Sequence, residues 1–224
     1  MPKHVDHESR RAELGSAVWS VVAKHGIEAV TIREVARESG WSTGVVNHYF
    51  RDKEDLMQYA FYLSIERSVA RLLAHAADAP PLEALRIILL ESLAITKEQR
   101  LENSLWAVFV GQALTNPEMS DEVRSLYQRW LERLVRLIKE GQRDGSIRRG
   151  FNTGEWARRA MATVDGYVIQ TFYLPGGDQY LDEQIENINR LVDSLRARSG
   201  PTRTTGNSRR GRSQLNSSAP AQIP

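Results

Sequence analysis

The sequence predicts an all-α protein, with a small N-terminal three-helix unit joined to a larger helical bundle. Three observations lead there. Apolar residues recur at three- and four-residue spacing along most of the chain, and no segment alternates with the period of a strand. Ser, Thr and Pro stand where such helices would start, and Gly where they would stop. Apolar residues make up 41% of the 224, enough to bury a real core.

In chain order, Leu14, Val18, Val21 and Val22 share one face of a first helix over roughly residues 9–25, closed by Gly26 as its C′ residue. "TIRE" opens a second. Thr31 is its N-cap, Glu34 completes a capping box, Ile32, Val35 and Ala36 give its buried face, and Gly40 ends it. A short third helix runs from about Thr43 to Phe50 with Ser42 as N-cap. A fourth starts near Asp52–Lys53 and carries Leu56, Tyr59, Leu63 and Leu72. Five more follow. "PPLEALRIILLESLAITKEQ" starts at a proline pair, and "LENSLWAVFVGQAL" is nearly apolar. "PEMSDEVRSLYQRWLERLVRLIKEGQ" runs from Pro117 to a stop at Gly141. "TGEWARRAMATVDGYVIQTFY" starts from a Thr153 cap, and "DQYLDEQIENINRLVDSLRAR" closes the folded part. The expected organisation is a flexible N-terminus (1–8), a helix-turn-helix unit (9–55), a larger helical domain (56–198) and a disordered arginine-rich tail (199–224), too polar to offset its ordering entropy.

The formal charge of +2 is misleading. Six arginines and no acid follow Leu195; without them 24 basic residues face 28 acidic ones. Global charge is therefore no argument for nucleic acid, and any such case rests on local placement. Cysteine is absent, which removes disulfides, thiol catalysis and cysteine metal sites. No apolar run is long enough to cross a membrane and "MPKHVDHESRR" is no signal peptide, so the expected compartment is the cytoplasm. HExxH, ExxH, GxSxG and phosphate-binding glycine loops are missing, so neither an enzyme nor a resident cofactor or metal is expected. "HVDH" at 4–7 reads as solvated.

Two short helices around the turn Gly40–Thr43 describe a helix-turn-helix. Its second helix would enter a major groove N-terminal end first. Ser42, Thr43 and Gly44 are small enough to let the backbone approach. Asn47 suits a bidentate pair with adenine, and Thr43 a base edge or a thymine methyl. Val46 and Phe50 point into the small core, leaving Thr43, Asn47 and His48 outward. Tyr49 and Lys53 reach backbone phosphates. Helix–Gly–helix pairs also occur in proteins that bind no DNA. His48 then reads as a surface histidine and Trp41 as a lid on the three-helix core.

"VTIREVARESGWSTGVVNHYFRDKEDLM" resembles the helix-turn-helix of the tetracycline-repressor (TetR) family. The match runs through Thr31, Ile32, Val35, Ala36, Gly40, Ser42, Gly44, Tyr49, Phe50, Lys53 and Leu56, and "STGVVNHYFRDK" is most similar to the choline-sensing BetI subgroup. The resemblance implies backbone contacts from Thr31 and Arg33, a reading face of Thr43, Gly44, Asn47 and His48, and phosphate anchors at Tyr49 and Lys53. Trp41 departs from the smaller aliphatic residue of many members. Further on, "SLWAVFVGQALTNPEM", "EGQRDGSIR" and "ATVDGYVIQ" are similar to BetI-type segments.

The resemblance implies a cytoplasmic homodimeric regulator, a repressor of a palindromic double-stranded operator released by a small effector. A DNA-bound adaptor working through a protein partner, without effector, is the alternative, and a dry core would favour it. The last two helices suit a dimer, with Ala160, Val164, Tyr167 and Val168 on one face, Ile185, Ile188, Leu191, Val192 and Leu195 on another, and Gly166 permitting close approach. The same faces would also serve to close the monomer's own core. Candidate effector contacts are Trp106, Phe109, Trp130, Met161, Asp165 and Tyr173. Aromatic rings around one carboxylate suit an organic cation, although such rings also serve simply as core.

Overall fold

The computed structural model describes residues 7–174 and 177–197, which form nine α-helices: α1 His7–His25, α2 Ile32–Ser39, α3 Thr43–Tyr49, α4 Lys53–Ala76, α5 Pro81–Glu91, α6 Lys97–Ala113, α7 Pro117–Asp144, α8 Thr153–Tyr173 and α9 Gly177–Asp193. The tail at 199–224 and residues 1–6 lie outside the described residues, while His7 and Glu8 already belong to α1. No described helix is long and apolar enough to cross a membrane.

The local signals place most boundaries. Gly26 and Gly40 take positive φ of 80° and 74°, which a side chain resists. Ser42 Oγ accepts from Val45 N at 3.2 Å and Asp52 caps α4 through Asp55 N at 2.8 Å. Thr31 Oγ1 accepts from Glu34 N at 3.1 Å, but the reciprocal half of the expected box is absent because Glu34 pairs with Arg37 instead.

Four boundaries differ from expectation. "PPLEALRIILLESLAITKEQ" is split: α5 ends at Glu91, and Thr96 with Gln99 forms a full capping box that starts α6. Helix α7 continues past Gly141 to a left-handed Gly145. Gly141 serves packing, since a Cβ there would lie 2.5 Å from the buried Ile147 side chain. The cap of α8 is Asn152, whose side-chain Oδ1 accepts from Glu155 N at 3.0 Å, with Thr153 as its first helical residue. One isolated bridge, Ile147 with Arg196, ties the α7–α8 turn to the end of α9.

Two cores result. Leu14, Val18, Val21, Val35, Val46, Phe50, Leu56 and Phe61 fill the N-terminal one, joined by Leu105 and Phe109 of α6. The second lies between α5, α7, α8 and α9. Helix α4, 24 residues and about 36 Å long, serves both.

This arrangement corrects the expected dimer face. Ala160, Val164, Val168, Ile188, Val192 and Leu195 are all within the monomer's own second core, with Tyr167, Ile185 and Leu191 packed against it. The apolar periodicity of α8 and α9 thus closes the subunit. A different stripe of α8 is open: Ile169, Phe172 and Tyr173 are exposed, and nothing lies within 4 Å of a Cβ built on Gly166.

Candidate nucleic-acid interface and effector cavity

The N-terminal head presents α3 outward. Val46 and Phe50 are wholly buried beneath it, which fixes its rotation and leaves Thr43, Gly44, Asn47 and His48 exposed on one face. Thr31 and Arg33, at the start of α2, and Lys53, at the start of α4, are exposed nearby. The start of α1 also reaches this face. The His7 ring lies 6.1 Å from that of His48 and 5.4 Å from that of Tyr49, which is half-buried. Ser42 and Thr31 spend a side-chain acceptor on the caps.

Trp41 is held by α1. Its Nε1 donates to Glu13 Oε1 at 3.0 Å, and the Arg10 guanidinium sits 3.8 Å above its ring. The larger residue is accommodated as a lid on the first core rather than left free on the reading surface, and the Arg10 stack is a cation–π contact.

A cavity of about 450 Å³ opens between α4, α6, α7 and α8, within the range of small-molecule sites. Trp106, Trp130 and Asp165 line it, three of the six expected contacts. The other three do not. Phe109 is buried in the first core, stacked on Phe61 with centroids 3.8 Å apart. Met161 is buried in the second core, and Tyr173 is exposed at the end of α8.

Tyr127, absent from the expected set, also lines the cavity and donates its hydroxyl to Asp165 Oδ2 at 2.8 Å. Burial pushes the Asp165 carboxyl above its ordinary range, with the Tyr127 hydrogen bond acting the other way. Burial, then the Asp165 charge and hydrogen bond, push the Tyr127 phenol up, so it stays a neutral donor. Trp106 and Tyr127 meet edge to face at 5.5 Å, and Trp130 lies beside Tyr127. Three rings and one carboxylate thus line the same cavity, a combination whose chemistry suits a positive charge. Tyr127 was legible as the residue three before Trp130 on one helical face.

Glu91 and Glu102 line the same cavity but are already engaged. Arg71 Nη1 and Nη2 reach the two Glu102 oxygens at 2.9 and 2.6 Å, and its Nε reaches Glu91 at 3.0 Å. Burial alone would raise the Glu91 carboxyl, but hydrogen bonds from Arg71, His75 and Gln99 outweigh it and hold it low. Neither carboxylate carried a distinctive sequence signal: Glu102 sits in the polar first half of α6 with Lys97, Glu98, Arg100 and Asn103.

Both halves of the chain match known protein families. Residues 16–60 match the family of bacterial regulatory proteins of the tetR type, and residues 81–197 match the BetI-type transcriptional repressor C-terminal domain. The regulator PksA of Bacillus subtilis is 29% identical over 176 residues, covering 78% of this chain and 84% of that protein. A BetI regulator of Stenotrophomonas maltophilia is 28% identical over 137 residues, 60% of this chain and 69% of that one. Among solved structures, a transcriptional regulator from Saccharomonospora viridis in complex with choline superposes with a TM-score of 0.74 at 24% identity, over 83% of this chain and 96% of that one. A TetR regulator from Haloarcula marismortui gives 0.72 at 23%, over 84% and 99%.

Proposed function

The chain belongs to the TetR family of bacterial transcriptional regulators, with a BetI-type C-terminal domain, and from that premise we propose a homodimeric repressor whose operator is released by an organic cation. The observation that carries the effector class is Asp165, a largely buried carboxylate with one protein hydrogen bond, facing a cavity walled by Trp106, Tyr127 and Trp130. The complex of the S. viridis regulator with choline supports the same class. The cavity also removes the ground for the adaptor alternative, which a dry core would have favoured.

Release follows from α4. Its N-terminal end carries Lys53 and the head, and Ser64, Ile65, Ser68 and Leu72 on its later turns line the cavity. A ligand that binds better when α4 is displaced shifts the dimer towards a head spacing that no longer fits two half-sites.

The test is a gel-shift at fixed salt on DNA flanking the protein's own gene, with and without choline. A specific shift reversed by choline is expected for the wild type, and Asp165→Asn should shift the same DNA but resist release. Release unchanged in Asp165→Asn would sink the assignment of the cation site. The same substitution has a stability signature. The folded-state value of Asp165 is raised, so its ionisation costs stability in full above that value; the cost shrinks as pH falls below it and is gone below the unfolded value. Asp165→Asn should therefore raise the ligand-free melting temperature at neutral pH.

On the DNA side, Asn47→Ala is expected to cost about 1–3 kcal/mol at the operator and relax specificity, because it removes a base contact. Lys53→Ala should weaken all sequences alike and lower the salt slope by about 1 per subunit. Full affinity in the double variant would overturn this reading head.

The dimer is assigned to α8 and α9, through the open stripe of Gly166, Ile169 and Tyr173 rather than the buried faces. Ile169→Glu is expected to give a monomer by light scattering. A persistent dimer would move the interface elsewhere.

A further inference from the structure

The cavity has a second chemical pole that a simple cation leaves unused. Arg129 and Arg133 line it, one turn apart on α7. Arg129 donates only to Ser125 Oγ at 2.6 Å, and Arg133 has no hydrogen-bond or ion-pair partner among the described residues. Two like charges at this spacing repel each other, so the pair is held at a cost unless an anion joins it. On the same helix Arg124 pairs with Asp121, while Arg136 and Arg143, which do not line this cavity, have no hydrogen-bond or ion-pair partner among the described residues.

The positions of the poles around α7 are distinct. At 3.6 residues per turn, Tyr127 and Arg129 lie about 160° apart, whereas Arg129 and Arg133 are about 40° apart. Trp130 and Leu126, which also line the cavity, fall at angles between them. The Tyr127 side carries Asp165 and the rings; the other side carries two guanidiniums. Of the other carboxylates that line the cavity, Glu91 and Glu102 are taken by Arg71, His75 and Gln99. A small quaternary ammonium ion would fill only part of the 450 Å³ and leave this side bare.

We propose that the effector is a zwitterion, with its ammonium group among Trp106, Tyr127, Trp130 and Asp165 and a carboxylate or phosphate paired to Arg129 and Arg133. This rests on the cation reading above and narrows it. The arginine pair supplies the geometry for such an anion, since guanidinium forks match carboxylate and phosphate oxygens. The ammonium end would engage α6, α7 and α8, and the anion would add a second hold on α7.

Isothermal titration of the full-length protein with three probes tests this: choline, phosphocholine and trimethylammonium butyrate. At least one zwitterion is expected to bind tenfold or more tighter than choline, and which one does identifies the anion as phosphate or carboxylate. Arg129→Gln with Arg133→Gln should bring the zwitterion-to-choline affinity ratio close to one, while Asp165→Asn should weaken every probe. Choline binding as tightly as both zwitterions, or a ratio that survives the double substitution, would overturn the anion site and leave the cation reading standing. Failure of all three probes would overturn both.

Discussion

Phe61→Ala is expected to destabilise the protein by about 3–5 kcal/mol, the usual loss for a fully buried aromatic ring. Phe61 is 2% exposed and stacks on Phe109, with the Trp106 ring 5.9 Å away. It lies on α4, and its two partners lie on α6. Phe109 belongs to the head's core, and Trp106 lines the cavity. The ring therefore stands where head and effector domain share packing. A shifted Trp106 has a route to the reading helix through this stack. Urea unfolding followed by fluorescence would read the stability loss as a lower midpoint. The functional consequence is better read in Phe61→Leu, which keeps an apolar side chain. Its operator affinity without ligand should stay near the wild type while the ligand-induced drop shrinks. An undiminished drop would mean that the stack packs the two domains together without coupling them.

Arg71→Ala is expected to be as damaging, at about 3–5 kcal/mol, for an electrostatic reason. Glu102 is 6% exposed, and removing Arg71 leaves its charge buried without its partner. Glu91 loses a partner as well. Replacing Arg71 and Glu102 together with methionine should recover most of the loss, because an apolar pair carries no desolvation penalty. If the double variant is no better than Arg71→Ala, shape rather than charge explains the site. The pH dependence has a definite sign. The Glu91 carboxyl is held below its unfolded value, so its contribution is present above that value and lost as pH falls through the folded one. In Arg71→Ala that part of the acid-side loss should flatten.

Much of the reading head was legible along the chain because its signals are local. Thr31, Ser42 and Asp52 cap helices, and Gly40 supplies the left-handed turn. Val46 and Phe50 fix which side of α3 is buried, so Thr43, Asn47 and His48 had only one side left. The cavity was half legible. Trp106, Trp130 and Asp165 line it, but Phe109 and Met161 share the same composition and are core. Nothing along the chain separates them, because a ring in a cavity wall and a ring in a core repeat with the same period.

The sequence by itself determined the helices, the helix-turn-helix and the kinship, since each depends on residues within one or two turns of one another. The tertiary structure alone decided what covers each apolar face. Periodicity puts Val164, Val168, Ile188 and Val192 on faces that must be buried, but not against which neighbour, and the fold spends them on its own core. It also decided that Arg71 answers Glu91 and Glu102, 20 and 31 residues away, while Arg129 and Arg133 are left facing the cavity. Charge balance and burial are properties of segments brought together from far apart, and no window of the chain contains them.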